Sequence, residues 1–457
     1  MTESGTRRLL LERALLPGGW AQDVAVDVEG GTIVSVTPGA APVGRDRIAG
    51  IALPGLPNLH SHTFQRGMAG LAETRGPTGD SFWTWRQVMY RFLAHLTPDD
   101  VEAVAAYAMM EMLEGGFTAL AEFHYLHHDQ DGRPYADIGE LAGRIVAAAA
   151  KVNMGLTILP VFYAQGGFGG AASNEGQKRF VCDVDMYARL LERTRQIARA
   201  MDDAVVGIAP HSLRAVTPES LDAVLNLAED GPVHIHVAEQ MKEVEDCLAW
   251  SGHRPVAWLL DHAHVDRRWC LVHATHLDAA EIRDFAYSGA VAGLCPITEA
   301  NLGDGIFPGV DFLAAGGSFG VGSDSNVQIT ASGELRQFEY SQRLQHRGRN
   351  LLAEREGQST GRSLYDKALA GGAQALGRRI GRLEPGHRAD FVILDDAHPD
   401  LAGLSEDAVI DAYVFVADRA AIDAVIVGGR TVVANGRHVL RGEIAERYAH
   451  TVARIRS

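Results

Sequence analysis

The chain has 457 residues, 46% of them hydrophobic and 22% charged, which gives ample apolar material for a large core and excludes disorder as the dominant state. A formal net charge of −16 makes it a poor non-specific binder of nucleic acid or anionic lipid, so neither is expected as a partner. The four cysteines (Cys182, Cys247, Cys270 and Cys295) lie far apart with no Cys-x-x-Cys pair, which argues against a disulfide framework or a thiolate zinc cage.

The chain opens with a short Leu9–Leu11 run, broken at Glu12 and Arg13 before it could serve as a signal-peptide core. Strands are predicted over Arg8–Glu12, Asp23–Val28 and Thr32–Thr37, with Gly30-Gly31 as a hairpin turn. The pattern then changes to short apolar runs alternating with longer helical stretches. Eight strands are predicted: Ile51–His62, Thr118–Tyr125, Met154–Tyr163, Val205–His211, Val233–Ala238, Trp269–His273, Val291–Cys295 and Ser318–Ser323. Helices are predicted between them at Asp99–Glu114, Asp137–Val152, Asp185–Met201, Pro218–Glu229 and Ala279–Ser288. The longest charge-free stretch, Val152–Asn174, contains five glycines and several polar residues, so it is not a bilayer span. A cytoplasmic protein is expected. Near the other end come Ala389–Leu394, Ala424–Val427 and Thr431–Ala434, the last two joined by Gly428-Gly429-Arg430 as a second hairpin.

Eight βα units imply a (β/α)8 barrel, an α/β fold, with a small β-sandwich built from both chain termini. The expected division is residues 1–50 with 385–440 for the sandwich, 51–384 for the barrel and 441–457 for a C-terminal helix. A doubly wound open sheet is the alternative, but no Gly-x-Gly-x-x-Gly follows the first strand.

In a barrel, chemistry sits at the C-terminal ends of the strands. The first predicted strand ends His60-Ser61-His62, and residues i and i+2 of a strand point to one side. Of three His-x-His pairs, His262/His264 falls in a helix-to-loop region and is read as incidental. The fifth strand carries His234-Ile-His236 followed by Glu239, the sixth ends at His273 and the eighth leads into Asp324. Four strands thus deliver imidazole or carboxylate to one end of the barrel. An aspartate after Phe-Gly-Val-Gly is costly to bury unless it is paired or metal-bound.

These residues carry a resemblance. PGLPNLHSH at Pro54–His62, the His-x-Ala-Glu of His236–Glu239, the later strand-end His273 and GSDS at 322–325 resemble the amidohydrolase superfamily. GRLEPGHRADFVILD and VIVGGRTVVANG resemble that superfamily's small β-sandwich, so the likeness covers nearly the whole chain. NLHSHTFQRGMAGLAE followed by DSFWTWRQVMYRF is similar, more specifically, to the N-formimino-L-glutamate deiminases of histidine degradation.

That resemblance implies a hydrolytic deiminase. It would convert N-formimino-L-glutamate and water to N-formyl-L-glutamate and ammonia by attack of a zinc-bound hydroxide. His60, His62, His236 and Asp324 are the implied ligands. A two-metal member would need a lysine or acid at the fourth strand, which here reads Val205-Val-Gly-Ile-Ala-Pro-His-Ser212, so one Zn²⁺ per chain is expected, with Fe²⁺ or Mn²⁺ compatible by ligand type. Glu239 is the expected general acid/base, His273 a group that orients the nucleophile or stabilises charge, and Asp324 a second proton acceptor. Two substrate carboxylates call for guanidinium forks, for which Arg86 and Arg214 stand on loops after the first and fourth strands. Gln65, Tyr125 and His211 are further implied substrate contacts. The aromatic run Phe82, Trp83, Trp85, Tyr90 and Phe92 is read chiefly as packing. A homodimer is expected. A purine or pterin aminohydrolase on the same scaffold is the rival activity, and two arginine anchors discriminate against it.

Overall fold

The computed structural model describes residues 6–76 and 81–456. The first five residues, Asp80 of the aromatic segment and Ser457 of the expected C-terminal helix lie outside them.

Eight strand positions follow one another around a barrel: Leu56–Ser61, Phe117–His124, Gly155–Phe162, the pair Val205–Val206 and Ala209–Pro210, Val233–Val237, Trp269–His273, Val291–Leu294 and Ser318–Val321. Neighbours pair in parallel. Parallel bridges from Ile208 to Val233 and from Ser61 to Asp324 close the ring. Helices such as Pro98–Glu114, Glu140–Val152 and Val184–Ala198 cover the outside. Strands covered on both faces need apolar side chains at nearly every position, which is why these segments read as continuous hydrophobic runs.

Two predicted strands differ in detail. The run Ile51–His62 is not one strand. Asp46–Pro54 belongs to the terminal sheet, where its last residues pair antiparallel with Phe391–Leu394, and Leu56–Ser61 begins the barrel. An unbroken apolar sequence thus serves two sheets, and hydrophobicity alone cannot mark the hand-over. The fourth strand is two short pieces, interrupted where Gly207 passes close to Pro232: a Cβ on Gly207 would lie 2.4 Å from the Pro232 carbonyl oxygen.

The termini contribute one mixed eight-stranded sheet. Its N-terminal strands are Arg7–Leu16, Gly19–Glu29, Thr32–Thr37 and Asp46–Pro54; its C-terminal strands are Phe391–Leu394, Ile422–Val427, Arg430–Ala434 and Arg437–His438. Both Gly-Gly turns have positive φ at each glycine, 55° and 82° at Gly30-Gly31 and 56° and 75° at Gly428-Gly429, the backbone a tight hairpin requires. The sheet encloses its own core of residues such as Leu9, Val26, Ala52, Phe391 and Ile426.

The C-terminal helix Arg441–Arg456 lies along Pro98–Glu114. Arg441 pairs with Glu114, Arg447 with Glu102 at 2.6 Å and Arg454 with Asp100. From there Tyr448 Oη donates to the Arg66 carbonyl at 3.2 Å and Arg456 Nη2 to the Gly67 carbonyl at 2.7 Å. The helix therefore props the turn Thr63–Met68, which follows His62 and carries Gln65. Among the described residues, no helix is long and apolar enough to cross a membrane.

Candidate active site

His60 and His62 leave the first barrel strand with their imidazole Nε2 atoms 3.2 Å apart, and His236 Nε2, from the fifth strand, lies 3.0 Å from His60 Nε2. Asp324 Oδ1 is 3.6 Å from His60 Nε2 and 3.4 Å from His62 Nε2. All four residues are buried. The second ring nitrogens of two histidines fix their tautomers. His62 Nδ1 donates to the Phe123 carbonyl at 2.9 Å and His236 Nδ1 to the His211 carbonyl at 3.0 Å, leaving both Nε2 atoms as lone pairs. Burial lowers the pKa of all three imidazoles, that of His62 to about 3 and those of His60 and His236 well below the usual value, so they are neutral at pH 7.

Converging lone pairs and a carboxylate repel one another unless a cation sits among them. Ligand bonds of about 2.0–2.1 Å in a tetrahedral site put the donor atoms roughly 3.3–3.4 Å apart; the separations of His60 from His62 and His236, and of Asp324 from His60 and His62, are 3.0–3.6 Å, and the three imidazoles converge as one group. The donor set fits a divalent metal ion.

The backbone beneath this cluster is built to hold it. Asn58 Nδ2 donates to Ser323 Oγ at 2.7 Å and the Ser323 amide to Asn58 Oδ1 at 3.1 Å. Asn326 Nδ2 reaches Ser61 Oγ at 3.0 Å and the carbonyls of His62 and Asp324 at 3.1 and 2.9 Å. A Cβ on Gly322 would stand 2.7 Å from the backbone nitrogen and oxygen of His60, so only glycine lets the first and eighth strands approach this closely. Three strand ends hold left-handed φ at non-glycine residues: Ala238 at 51°, His273 at 66° and Asp324 at 41°. Each such residue costs on the order of 1–3 kcal/mol and persists where surrounding contacts over-determine it, typically at functional sites.

Around the cluster stand further titratable groups. His273 Nε2 is 3.8 Å from both Glu239 Oε1 and Asp324 Oδ2, while its Nδ1 faces Glu299 Oε1 at 3.3 Å. Burial alone would lower the His273 pKa, but the carboxylates of Glu239, Asp324 and Glu299 outweigh it and carry it up to about 10. Burial pushes Glu239 up to about 7, against the pull of His273 and Arg214. Glu243 accepts from the backbone amides of Ala238 and Glu239 at 3.2 and 3.3 Å, which fixes the strand end carrying Glu239.

Ten of the eleven residues singled out from sequence line one pocket, and the eleventh, His60, lies fully buried against its floor. Arg214 is buried, with Nη2 4.0 Å from Glu239 Oε2 and Nε 3.8 Å from Glu243 Oε2. Arg86, on the helix Phe82–Leu93, has its guanidinium 4.5 Å from the Trp83 ring centre and 5.6 Å from that of Tyr90. The Nε atoms of both arginines are buried without a hydrogen-bond partner. Gln65 Nε2 donates to Tyr125 Oη at 3.0 Å, while Gln65 Oε1 is buried and unpartnered. His211 places Nδ1 3.1 Å from Ser212 Oγ. The aromatic run divides: Phe92 packs in the core, whereas Phe82, Trp85 and Tyr90 line the pocket.

Sequence reasoning missed Glu243, Glu299, Asn326, Tyr163 and Gln177. Tyr163 alone carried a signal, since it ends the third predicted strand as Tyr125 ends the second. Glu243 acts locally, on amides four and five residues before it, while Glu299, Asn326 and Gln177 reach their partners from segments that sequence spacing does not connect.

Residues 51–432 match the Amidohydrolase family, and residues 10–50 match the N-terminal domain of formimidoylglutamate deiminase HutF. The chain belongs to the amidohydrolase family. A formimidoylglutamate deiminase of Pseudomonas aeruginosa is 53% identical over 432 residues, covering 94% of this chain and 95% of that protein. An 8-oxoguanine deaminase of the same organism is 30% identical, covering 84% and 83%. Among solved structures, an amidohydrolase from Brucella melitensis superposes with a TM-score of 0.94 at 53% identity, covering 99% of this chain and 100% of that one. A zinc-bound adenosine deaminase from Xanthomonas campestris, at 24% identity and a TM-score of 0.81 over 98% of each chain, shares the fold. This amidohydrolase thus has the barrel expected from its sequence, and where a small β-sandwich from both termini was expected the termini do meet, in one mixed eight-stranded sheet around its own core; a donor set for a divalent metal lies at the barrel mouth.

Proposed function

We propose that the protein is a formimidoylglutamate deiminase of histidine degradation. It hydrolyses the linear amidine of N-formimino-L-glutamate to N-formyl-L-glutamate and ammonia. The observation that carries this reading is the pair Arg86 and Arg214, both with buried unpartnered Nε atoms, in the same pocket as the metal-ligating cluster. A substrate with two carboxylates satisfies both and balances their charge, whereas a neutral purine or pterin ring can accept a hydrogen bond but leaves both buried cations without a counter-charge. The relative at 53% identity supports the same substrate.

In this reading His60, His62, His236 and Asp324 hold one Zn²⁺ per chain, with Fe²⁺ and Mn²⁺ compatible with the same donors. When bound, such an ion lowers the pKa of a coordinated water to about 7 and makes water nucleophilic at neutral pH. Glu239, poised near neutrality by burial, takes the water proton and returns it to the departing nitrogen, which leaves as ammonia. His273 keeps its proton and donates from Nε2 toward the reacting carbon's substituents, its ring held by Glu299 at Nδ1. Asp324 offers a second proton acceptor beside His273. Arg86 and Arg214 grip the carboxylates, while Gln65, Tyr125 and His211 line the space between them and the amidine. The enzyme is proposed to work in the cytoplasm as a homodimer, with no nucleic acid or membrane as partner.

The test is ammonia release by the purified protein over a panel of N-formimino-amino acids, 8-oxoguanine and other purines. Turnover confined to N-formimino-L-glutamate and its near analogues supports the reading. Turnover of purines in its place would replace it with the ring aminohydrolase.

A further inference from the structure

We propose that Tyr163 is a third carboxylate-binding group of the pocket, a hydroxyl donor aimed by the positioning residue Gln177, and that it contributes to selectivity for the dicarboxylate substrate. The proposal rests on the deiminase reading above. Tyr163 follows the third barrel strand, is buried, and packs edge-on against His211 with ring centres 4.6 Å apart.

The direction of one hydrogen-bond chain decides its chemistry. The Asn174 backbone amide donates to Gln177 Oε1 at 2.8 Å, and a backbone N–H can only donate. The carboxamide of the fully buried Gln177 is therefore oriented with its oxygen toward Asn174 and its NH₂ toward Tyr163. Gln177 Nε2 donates to Tyr163 Oη at 2.6 Å. The phenol oxygen is thus occupied as an acceptor, and its proton has to be given elsewhere. Among the described residues, none accepts it.

Tyr163 shares the pocket with Arg86 and Arg214. Burial raises the phenol's pKa and prevails over the opposing effect of the two guanidiniums, so the proton stays on at neutral pH. This end of the pocket offers three donors, and a carboxylate is the acceptor-only group that satisfies such a set. The other end offers acceptors: Gln65 Oε1, buried without a partner, together with Glu239 and Asp324. The pocket thus carries donors for carboxylates and acceptors for amidine N–H groups, and the two sets meet where Arg214 stands 4.0 Å from Glu239.

Tyr163→Phe removes the hydroxyl and keeps the ring. It is expected to raise KM for N-formimino-L-glutamate about tenfold or more, with kcat within about threefold of wild type and with metal content and Tm unchanged. Gln177→Leu, which frees the hydroxyl to turn, is expected to raise KM by a smaller factor. The N-formimino derivatives of 4-aminobutyrate and 2-aminobutyrate each lack one carboxylate and can be measured as substrates or competitive inhibitors. The Tyr163→Phe penalty should vanish for whichever lacks the carboxylate that Tyr163 holds. A KM within twofold of wild type, or a penalty equal for both monocarboxylates, would overturn the assignment and leave the deiminase reading standing. Failure of the wild-type protein to turn over N-formimino-L-glutamate would overturn that reading instead.

Discussion

Replacing Arg214 with alanine should weaken substrate binding and disturb proton transfer together, whereas replacing Arg86 should weaken binding alone. Both guanidiniums reach a largely buried pocket, so removing either leaves one substrate carboxylate without its partner. Truncating one side of such a buried charge pair costs about 2–5 kcal/mol. At about 1.4 kcal/mol per decade, that is roughly 30-fold to several thousand-fold in kcat/KM. The two sites differ in what else the arginine touches. Arg86 lies against the rings of Trp83 and Tyr90 and pairs with no carboxylate among the described residues, so its loss should appear in KM. Arg214 stands 4.0 Å from Glu239 and 3.8 Å from Glu243 and opposes the upward shift of the Glu239 pKa. Without that cation the Glu239 pKa moves further up, and the acid limb of the kcat/KM profile, which reports the ionised base in the free enzyme, moves to higher pH. Arg→Lys at either position should rescue only partly, because an ammonium lacks the two-pronged geometry. The assay is ammonia release from N-formimino-L-glutamate between pH 5 and 9 for wild type and the four variants, with metal content checked throughout. If Arg86→Ala and Arg214→Ala both stayed within threefold of wild type, the carboxylate-anchor argument would fail. An acid limb that stays in place in Arg214→Ala would remove Glu239 as the group it reports.

Glu239→Gln should keep the fold and the metal yet lose about 10²–10⁴-fold in kcat, the usual contribution of a positioned acid/base; a drop of less than tenfold would take Glu239 out of that role. Dialysis against a chelator should abolish turnover, and one equivalent of Zn²⁺ per chain should restore it; a requirement for two would refute the single-ion reading. His124, fully buried and lowered by burial to a pKa of about 4, should make the protein acid-sensitive. The unfolded chain takes up a proton near pH 6.5 and the folded one does not, so stability falls as pH drops from about 6.5 to 4, by about 2 kcal/mol between pH 7 and 5. Denaturant unfolding of His124→Gln should lose that part of the slope, and an unchanged slope would show that His124 is not its source.

Much of the site could be read because barrel geometry turns sequence positions into spatial ones. His60 and His62 share a strand face, and His236, His273 and Asp324 follow strands that end on the same rim. Knowing only that the strands are parallel and the barrel closed is enough to bring them together. The residues that orient them follow no such rule. Asn326 bonds to Ser61 across 265 positions of chain, Glu299 faces His273 across 26, and Gln177 meets Tyr163 from a loop. Each contact exists because a segment from elsewhere in the chain, such as the helix Pro296–Leu302 or the short turn Glu175–Gln177, closes over a strand end, and no periodicity announces that closure. The hand-over at Pro54 was hidden for a related reason. Residues 51–61 are buried throughout, so no change in polarity marks where one sheet stops and the barrel starts.

An acidic protein that binds a dianion has to create its positive charge locally, and the pocket does so without exposing it. Arg214 is buried, which would be costly for an isolated cation. Glu243 and Glu239 lie close enough to offset that cost, yet at 3.8–4.0 Å neither forms a hydrogen bond with it. The guanidinium is therefore kept charged while its donors remain available to a ligand. The same Glu239 that steadies Arg214 is the group proposed to carry the proton, so occupation of the carboxylate end is coupled to the basicity of the catalytic end. A carboxylate drawn onto Arg214 competes with Glu239 for its field and raises the Glu239 pKa, making it a stronger base when the substrate is in place. A ligand without that carboxylate leaves Glu239 under the full influence of Arg214. Of the two monocarboxylate substrates, the one lacking the carboxylate that Arg214 holds should therefore lose kcat as well as affinity, and a deficit confined to KM for both would show that the two ends act independently.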